Sequence, residues 1–311
     1  MNTDSARPIT RWGILGTGAV ARAFAEDLRL LPDAALTAVG SRRLERASAF
    51  ASDFGARRAH EGVDRLAGDA EVDVVYVATP HIRHRDHCLA CLAAGRAVLV
   101  EKPFTLNAAE ARAVIEQARR SRLFCMEAMW MRFHPLILKV HSMVQSGVLG
   151  SIRLLTADFG YPTPFDPENR FFDQRLAGGA LLDRGVYLIS LAYFLLGPPD
   201  ETAGHATIGS TGVDEQESMV LTYRSGAQAV LTASLRSQLR NEAVIVGTQG
   251  QICIHSPFYA PYRVSRTQLI EPVGPITPAP SAPTGWRTRI RHNPLLRRAF
   301  ETVGQIGRAH V

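Results

Sequence analysis

The sequence has few cysteines, no long apolar run and no apolar segment near its first residue. Its four cysteines are too few and too scattered for a disulfide framework: they are Cys88, Cys91, Cys125 and Cys253. The longest apolar run, residues 188–196, is far shorter than a membrane span, so we expect no membrane association. Residues 1–10 are polar and lack the apolar core of a signal peptide, so we expect a cytoplasmic location.

Lysine is almost absent: the sequence has only Lys102 and Lys139, and its other positively charged side chains are arginines. The formal net charge of +6 is concentrated in residues 285–311, where six arginines and one glutamate carry a balance of +5. The rest of the chain therefore carries only +1, which argues against a nucleic-acid partner. A basic run at a terminus is usually a solvated helix.

A glycine-rich turn between a strand and a helix is the first motif. Residues 11–15 are typical of a strand, and an alanine-rich helix is predicted to about residue 31. The residues between them are Gly16-Thr17-Gly18-Ala19-Val20-Ala21. In this dinucleotide fingerprint, Gly16 permits the tight turn, Gly18 lets the backbone approach the pyrophosphate, and Ala21 allows close helix packing. The helix N-terminus supplies amides for the phosphates. The segment predicts dinucleotide binding, with a merely tight turn as the alternative.

The second predicted strand, residues 35–40, ends where the cofactor's ribose is expected. An NAD-selective site places an acid at this tip, but here Ser41, Arg42 and Arg43 follow, and the nearest acid is Glu45. A hydroxyl and a guanidinium suit a 2′-phosphate, so the sequence favours NADP over NAD. The alternative is that both arginines are solvated residues of the next helix.

Strands and helices continue to alternate as far as residue 127. Further strands are predicted over residues 72–78, 97–100 and 123–127, helices over 82–94 and 107–121, and a short strand-helix unit over 56–68. About six repeats predict a doubly wound parallel sheet, in which ligands bind at the carboxyl ends of the strands. Two of these strands are followed directly by the tripeptides Thr79-Pro80-His81 and Glu101-Lys102-Pro103.

The helix over residues 82–94 carries four side chains of metal-ligand type at one-turn spacings, namely His84, His87, Cys88 and Cys91. A C-x-x-C pair inside one helix lacks the second ligand pair that a zinc site needs. The sequence therefore predicts no metal site.

The pattern changes after residue 126. A helix is predicted over residues 135–146 and another over 179–196, with strands over 151–159, 203–210, 216–223, 227–236, 242–247 and 250–255. Strands without helices between them indicate a mainly antiparallel sheet. We therefore predict an α/β chain with a Rossmann domain at 1–126 and an α+β domain with an open sheet at 127–304.

Lys102 stands out at the end of the strand over residues 97–100. Proline at 103 stops the strand, so the lysine is delivered to the edge where ligands bind. Because the chain otherwise uses arginine for positive charge, a retained lysine suggests a role for a compact ammonium with an adjustable pKa. The alternative is an ordinary surface lysine.

Residues 178–187, Gly-Gly-Ala-Leu-Leu-Asp-Arg-Gly-Val-Tyr, hold the remaining chemistry. Asp183 and Tyr187 are four residues apart, so on a helix they lie one turn from each other on the same side. A free tyrosine, with a pKa near 10, is a poor base, but a neighbouring ammonium such as that of Lys102 would lower this pKa. The alternative is that Tyr187 is a core aromatic residue and Asp183 a buried hydrogen-bonding residue.

Together these motifs resemble those of the Gfo/Idh/MocA oxidoreductases. The resemblance is carried by Gly16-Thr17-Gly18, Thr79-Pro80-His81 with His84, Glu101-Lys102-Pro103, residues 127–135 and residues 178–187, and it covers residues 11 to about 270. The chain is most similar to the branch of NADP-dependent dihydrodiol and D-xylose dehydrogenases. This resemblance implies hydride transfer between a sugar or cyclic diol and nicotinamide, and it also implies a homodimer.

The resemblance also implies roles for individual residues. It places Lys102 beside the nicotinamide, makes Tyr187 the acid/base with Asp183 as its partner, and puts Trp130 and Arg132 along the cofactor and substrate pocket. Arg184 departs from the apolar residue common at its position. A non-catalytic dinucleotide sensor on the same fold is the alternative function, although a sensor needs none of Lys102, Asp183 and Tyr187.

The end of the sequence also departs from the family. The expected glycine- and tyrosine-rich closing turn and its helix have no counterpart, and residues 306–311 match the translation of a common sequencing adapter. We therefore expect native sequence to end near residue 304 and residues 305–311 to be a non-native tail.

Overall fold

The computed structural model describes residues 8–269. The basic run over residues 285–311 and the expected non-native tail lie outside the described residues. Residues up to Gln268 belong to one compact unit, and the domain boundary after residue 126 stays a prediction.

Six parallel strands form the first sheet. They are β1 Thr10–Leu15, β2 Ala34–Ser41, β3 Arg58–Glu61, β4 Val74–Val77, β5 Ala97–Val100 and β6 Cys125–Glu127. The order across the sheet is β3-β2-β1-β4-β5-β6. The helices of this part are α1 Ala19–Leu28, α2 Leu44–Phe54, α3 Gly62–Ala67, α4 His84–Ala93 and α5 Ala108–Ser121. The strand order reverses between β1 and β4, and the predicted doubly wound parallel sheet is confirmed.

Local sequence explains where these elements begin and end. Gly16 has a φ of 116°, and a Cβ there would lie 2.4 Å from the carbonyl oxygen of Ala78, so only glycine fits the turn into α1. The Asn107 side chain accepts a hydrogen bond from the backbone N–H of Glu110 at 3.0 Å, which caps α5 at the predicted start of this helix. Val98 and Val100 are fully buried, which explains why β5 reads as an uninterrupted apolar run.

Seven strands form the second sheet. They are β7 Ile152–Gly160, β8 Glu201–Ile208, β9 Asp214–Thr222, β10 Gln228–Ser234, β11 Ala243–Gly247, β12 Gly250–Ile254 and β13 Val264–Gln268. Their order is β13-β12-β11-β7-β10-β9-β8, and only β7 and β10 pair in parallel. The helices α6 Pro135–Gln145 and α7 Val186–Leu196 contribute to its core. The predicted mainly antiparallel sheet is confirmed. The sequence analysis missed β13, because this mostly exposed strand has no apolar alternation.

The predicted helix over residues 179–196 has an irregular beginning. Leu181–Gly185 is a π-helical turn, and regular α-helix starts only at Val186. The carboxylate of Asp214 accepts a hydrogen bond from the backbone N–H of Leu181 at 2.6 Å and so holds the start of the turn. π turns are rare and are frequently found at functional sites.

Among the described residues, one stretch is long and apolar enough to cross a membrane by length and composition. This stretch is Gln174–Leu196, and 50% of its most apolar window is buried inside the protein. Positive φ angles at Ala177 and Gly179 interrupt it, and Leu188 and Leu191 are fully buried in the core of the second sheet. These are the features of a core helix.

Candidate active site

The turn between β1 and α1 leaves room for a phosphate. Gly18 is the N-cap of α1 with an ordinary φ of −77°, and no side chain caps the helix. Nothing lies within 4 Å of the position that a Cβ of Gly18 would take. Thr17 belongs to the same turn, and Ala19 and Val20 are exposed in the first turn of the helix. Free helix amides beside open space fit the pyrophosphate of a dinucleotide.

The carboxyl end of β2 carries a small basic pocket. Its lining consists of Ser41, Arg42, Arg43 and Arg46. Ser41 is the last residue of β2, and Arg43 is the N-cap of α2. The sequence analysis missed Arg46, although its position one helical turn after Arg43 was a signal.

His84 joins the loops that follow β4 and β5. Its side chain is fully buried, with Nδ1 2.8 Å from the carbonyl oxygen of Pro103 and Nε2 2.9 Å from that of Thr79. His84 therefore holds together the two loops at the edge of the sheet where the cofactor is predicted to bind. His87 lies 3.0 Å from the Thr79 hydroxyl through Nδ1, whereas Cys88 and Cys91 are buried in the core.

The short helix after Pro80 brings His81 to the same edge. Burial lowers the pKa of His81 to about 4, and its interactions with the neighbouring His84 and with the Lys102 ammonium add to this effect. The imidazole is therefore neutral at neutral pH and can donate or accept one hydrogen bond at each nitrogen.

Lys102 is not an ordinary surface lysine, because its side chain is only 16% exposed. Its Nζ donates hydrogen bonds to the backbone oxygen of Asp183 at 2.9 Å and to the carboxylate Oδ1 at 3.2 Å. The neighbouring Glu101 is also fixed, since its carboxylate accepts hydrogen bonds from the Tyr76 hydroxyl at 2.5 Å and from the Lys102 backbone N–H at 3.1 Å. The strand end thus aims the ammonium at the π turn.

Asp183 is held by three cations. Besides Lys102, Arg170 reaches its Oδ1 at 3.3 Å and Arg184 its Oδ2 at 3.8 Å. Burial alone would raise the pKa of this carboxyl, but Lys102 and Arg170 outweigh burial, and the pKa is lowered. Asp183 is therefore a carboxylate. The sequence analysis missed Arg170, which lies in the loop before the glycine pair.

Tyr187 lies beside this ion pair and is 7% exposed. Lys102 Nζ is 5.1 Å from the centroid of its ring, and the Tyr187 hydroxyl accepts a hydrogen bond from Trp130 Nε1 at 3.2 Å. Burial raises the pKa of Tyr187 above its ordinary value, with the negative charges of Glu101 and Asp183 adding to the increase. The expected lowering of this pKa is therefore wrong for this structure: the Lys102 ammonium makes its hydrogen bonds to Asp183 and faces the tyrosine ring.

Further aromatic side chains surround Tyr187. Its ring centroid lies 5.5 Å from that of Phe159, 5.8 Å from Tyr259 and 6.3 Å from Trp130. Trp130 is 45% exposed, so the cluster reaches the surface. The sequence analysis did not assign Phe159 or Tyr259 to the site, because they come from β7 and from the loop after β12.

Comparison with curated proteins relates this chain to known enzymes. The mouse (Mus musculus) trans-1,2-dihydrobenzene-1,2-diol dehydrogenase is 38% identical over 244 residues, which cover 77% of this chain and 73% of the mouse protein. The pig (Sus scrofa) enzyme of the same name is 37% identical over 88% of this chain and 81% of its own.

Family models match both parts of the chain. One, described as an oxidoreductase family with an NAD-binding Rossmann fold, matches residues 10–129, and the other, a GFO/IDH/MocA C-terminal domain, matches residues 137–253. The chain belongs to the Gfo/Idh/MocA oxidoreductase family. The predicted family and the prediction of a dehydrogenase that acts on CH–OH donors are confirmed.

Solved structures agree with this membership. A 3-ketoreductase from Actinomadura kijaniata, crystallised with NADP and TDP-benzene, is 30% identical with a TM-score of 0.75, and the match covers 85% of each chain. An aldose-aldose oxidoreductase from Caulobacter crescentus shares the fold with a TM-score of 0.77 at 24% identity, over 86% of this chain and 84% of its own.

Two arginines of this Gfo/Idh/MocA site have structural partners. Arg132, which was predicted to line the pocket, donates hydrogen bonds to the side chain and the backbone oxygen of Ser190 at 2.8 and 3.2 Å, and so anchors the turn that carries Trp130. Arg184 donates to the backbone oxygens of Tyr161 and Ser234 and, at 2.7 Å, to the hydroxyl of Thr163. The buried Arg184 guanidinium is therefore paired with three acceptors, which explains how a charged side chain fits at this position.

Proposed function

We propose that the protein is an NADP-dependent dehydrogenase of cyclic diols or sugars, with Tyr187 as acid/base and Lys102 as its electrostatic partner. The observation that carries this proposal is the position of the Lys102 ammonium, 5.1 Å from the Tyr187 ring centroid. Lys102 follows β5, at the carboxyl edge of the dinucleotide-binding sheet, where ligands of doubly wound sheets bind. A proton donor and a positive charge therefore meet where a nicotinamide ring is expected.

When bound, the nicotinamide would supply or accept the hydride. In the direction of reduction, the carbonyl oxygen of the substrate gains an electron pair as the carbon accepts the hydride. Tyr187 is protonated because its pKa is raised, so its hydroxyl donates the proton to that oxygen. Lys102 and the indole N–H of Trp130 stabilise the negative charge left on the tyrosine. In the direction of oxidation, Tyr187 must first lose its proton to solvent, which its raised pKa allows in only a small fraction of molecules at neutral pH, and the tyrosinate then accepts the hydroxyl proton of the substrate.

The basic pocket at the end of β2 supports NADP as the cofactor. Three of its four lining residues are arginines, and the fourth supplies a hydroxyl. Guanidinium groups bind phosphate with two parallel hydrogen bonds, whereas an uncharged 2′-hydroxyl is normally bound by an acid. The 3-ketoreductase that this chain resembles was crystallised with NADP.

The aromatic side chains around Tyr187 support a substrate with an apolar ring face. Trp130 and Tyr259, which are not fully buried, offer apolar ring faces next to the Tyr187 hydroxyl. A cyclic diol fits this combination, because its ring contacts the aromatic side chains while its hydroxyl reaches Tyr187. The diol dehydrogenases at 37–38% identity favour the same class.

Cofactor titration tests the first part of the proposal. We expect NADPH to bind tightly, and Arg42→Ala or Arg46→Ala to weaken NADPH binding by about 10-fold or more without weakening NADH, because one charged hydrogen bond contributes about 1.5–3 kcal/mol. Arg112→Ala, an exposed arginine on α5, is the control. Equal affinities for NADPH and NADH in the unmodified protein would contradict the choice of NADP.

Turnover assays test the second part. The protein is supplied with NADP and a panel of trans-dihydrodiols, cyclic diols, D-xylose and other aldoses, and the reduced nicotinamide is followed by absorbance. Turnover of a diol or sugar supports the proposal. Binding of NADPH without turnover of any member of the panel would favour a dinucleotide sensor. The homodimer stays a prediction, which sedimentation tests directly, and the cytoplasmic location stays a prediction as well.

A further inference from the structure

A second cluster of reactive side chains lies at the β11–β12 pair of the second sheet. Ile252 and Ile254 are fully buried, so Cys253, which lies between them on β12, projects from the opposite face. His255 follows two residues later. β11 and β12 pair antiparallel with Ala243 opposite Ile254, which places Glu242 opposite His255.

The three side chains are close enough to share one ion. One ligand atom from each of Glu242, Cys253 and His255 lies within 4.8 Å of the other two. His255 Nδ1 is 3.5 Å from Glu242 Oε1 and 3.8 Å from Cys253 Sγ. Nitrogen, oxygen and sulfur ligands on a tetrahedral Zn²⁺, at bond lengths of about 2.0–2.3 Å, are about 3.3–3.6 Å apart. The two distances that involve Nδ1 therefore need to shorten by at most a few tenths of an ångström, whereas the Glu242–Cys253 pair, which lies within 4.8 Å, needs to shorten by about 1.3 Å at most.

The contacts of His255 define which of its nitrogens faces the cluster as an acceptor. Nδ1 lies 3.2 Å from a guanidinium nitrogen of Arg263, and a guanidinium only donates, so Nδ1 carries a lone pair. The ring proton is therefore on Nε2, which lies 2.8 Å from the Ser265 hydroxyl on β13 and donates a hydrogen bond to it. A metal-binding histidine typically has this arrangement, with its second nitrogen fixed by another protein group.

The charges of the cluster also suit a divalent cation. A Cys253 thiolate and the Glu242 carboxylate together carry two negative charges, which balance the two positive charges of the ion. Asp158 on β7 is close enough for its pKa, raised mainly by burial, to be raised further by Glu242. Two exposed arginines oppose this negative charge, Arg240 beside Asp158 and Arg263 beside Cys253 and His255, and the exposed Arg263 side chain can move away from the cluster.

We propose that Glu242, Cys253 and His255 bind one Zn²⁺ ion, with the Glu242 carboxylate, the Cys253 thiolate and His255 Nδ1 as ligands. The Cys253 thiol loses its proton to solvent when the sulfur–zinc bond forms, and Arg263 leaves the Nδ1 lone pair. Water takes the fourth position. The ion joins β11 to β12, and the Ser265 hydrogen bond extends this connection to β13. The sequence analysis, which predicted no metal site, did not consider these three residues as ligands, because they come together only through strand pairing.

Cobalt(II) is the probe, because Co²⁺ takes the same ligands as Zn²⁺ and absorbs light. We expect titration of the full-length protein with Co²⁺ to produce a thiolate-to-cobalt absorption band in the near ultraviolet, saturating at one equivalent and removed by Zn²⁺. Cys253→Ser should abolish the band, whereas Cys125→Ser, the control at another partly buried cysteine, should retain it. The thiolate band separates this cluster from histidines elsewhere in the chain.

Two further variants make the test sharper. His255→Gln should weaken Co²⁺ binding by at least about 10-fold, since even a group that only orients a ligand contributes that much. Arg263→Gln should tighten binding, because it removes the competitor for Nδ1. Unchanged thermal unfolding of metal-free Cys253→Ser shows that the variant is folded. Absence of a thiolate band in the unmodified protein, or its persistence in Cys253→Ser, would overturn the proposal.

Discussion

Lys102 Nζ donates hydrogen bonds to the backbone oxygen of Asp183 at 2.9 Å and to its carboxylate at 3.2 Å, across 81 residues of sequence. This contact joins the carboxyl end of β5 in the first sheet to the π turn before α7, which packs on the second sheet. Because the same ammonium lies over the ring of Tyr187, one lysine positions both the carboxylate and the tyrosine. The Lys102 side chain therefore sets how far the carboxyl end of β5 lies from the π turn that carries Asp183.

Replacing Lys102 tests its electrostatic role. We expect Lys102→Met to lower kcat by about 10²-fold or more, as removal of a single charge-stabilising donor does in other enzymes. Lys102→Arg should restore only part of the loss, because a planar guanidinium cannot replace a compact ammonium. Lys139→Met, which changes the only other lysine of the sequence, is the matched control. Unaltered steady-state rates for Lys102→Met would rule the role out.

Tyr187→Phe removes the hydroxyl and keeps the ring. We expect kcat to fall by about 10²–10⁴-fold, the usual contribution of a general acid/base, while the affinity for NADPH measured by fluorescence stays within a factor of two or so. Tyr193→Phe on the same helix is the control, because that ring is 44% exposed. If both variants keep full activity, another residue transfers the proton.

The two glycines of the first turn should respond differently to alanine. Gly16→Ala places a Cβ 2.4 Å from the Ala78 oxygen in a left-handed backbone conformation, so we expect a loss of stability of at least about 1–3 kcal/mol. Gly18→Ala should unfold at the normal temperature, since its Cβ meets open space, but should bind NADPH more weakly because the methyl group enters the phosphate site. Normal NADPH affinity in Gly18→Ala would contradict this placement of the pyrophosphate.

Glu217 makes the stability depend on pH. Burial, with the negative charge of Asp214 adding, raises its pKa to about 8 from an ordinary 4.5, and its Oε1 has no hydrogen-bond partner among the described residues. The folded chain therefore keeps a proton that the unfolded chain loses. Its contribution to stability is complete below pH 4.5 and is lost as the pH rises through about 8.

We expect Glu217→Gln to remove this dependence. Thermal unfolding gives the free energy of unfolding of the variant minus that of the unmodified protein. We expect this difference to increase by a few kcal/mol between about pH 5 and 8.5, because a buried amide stays neutral. Glu26→Gln, at an exposed position on α1, should show no such trend. A parallel pH dependence of Glu217→Gln and the unmodified protein would show that Glu217 is not protonated in the fold.

The sequence alone determined the elements that depend on local pattern. Parallel strands are buried on both faces, so β4 and β5 could be recognised in the sequence as short apolar runs. The turn at Gly16 could be recognised as well, because no other residue fits its backbone conformation. Lys102 and Tyr187 could be singled out by composition, strand ends and motif order. The edge strand β13 was missed, since an exposed strand forms by pairing with β12 and needs no apolar alternation.

Tertiary structure alone decided the partners and the protonation of these groups. The pairing of Lys102 with Asp183, the burial that raises the pKa of Tyr187, and the acceptors around Arg184 all depend on segments far apart in the chain. The same is true of the Glu242, Cys253 and His255 cluster, which exists only through the register of β11 and β12. A sequence specifies which chemical groups are present, but desolvation and charge pairing depend on distances in space, and these exist only after the sheets have assembled.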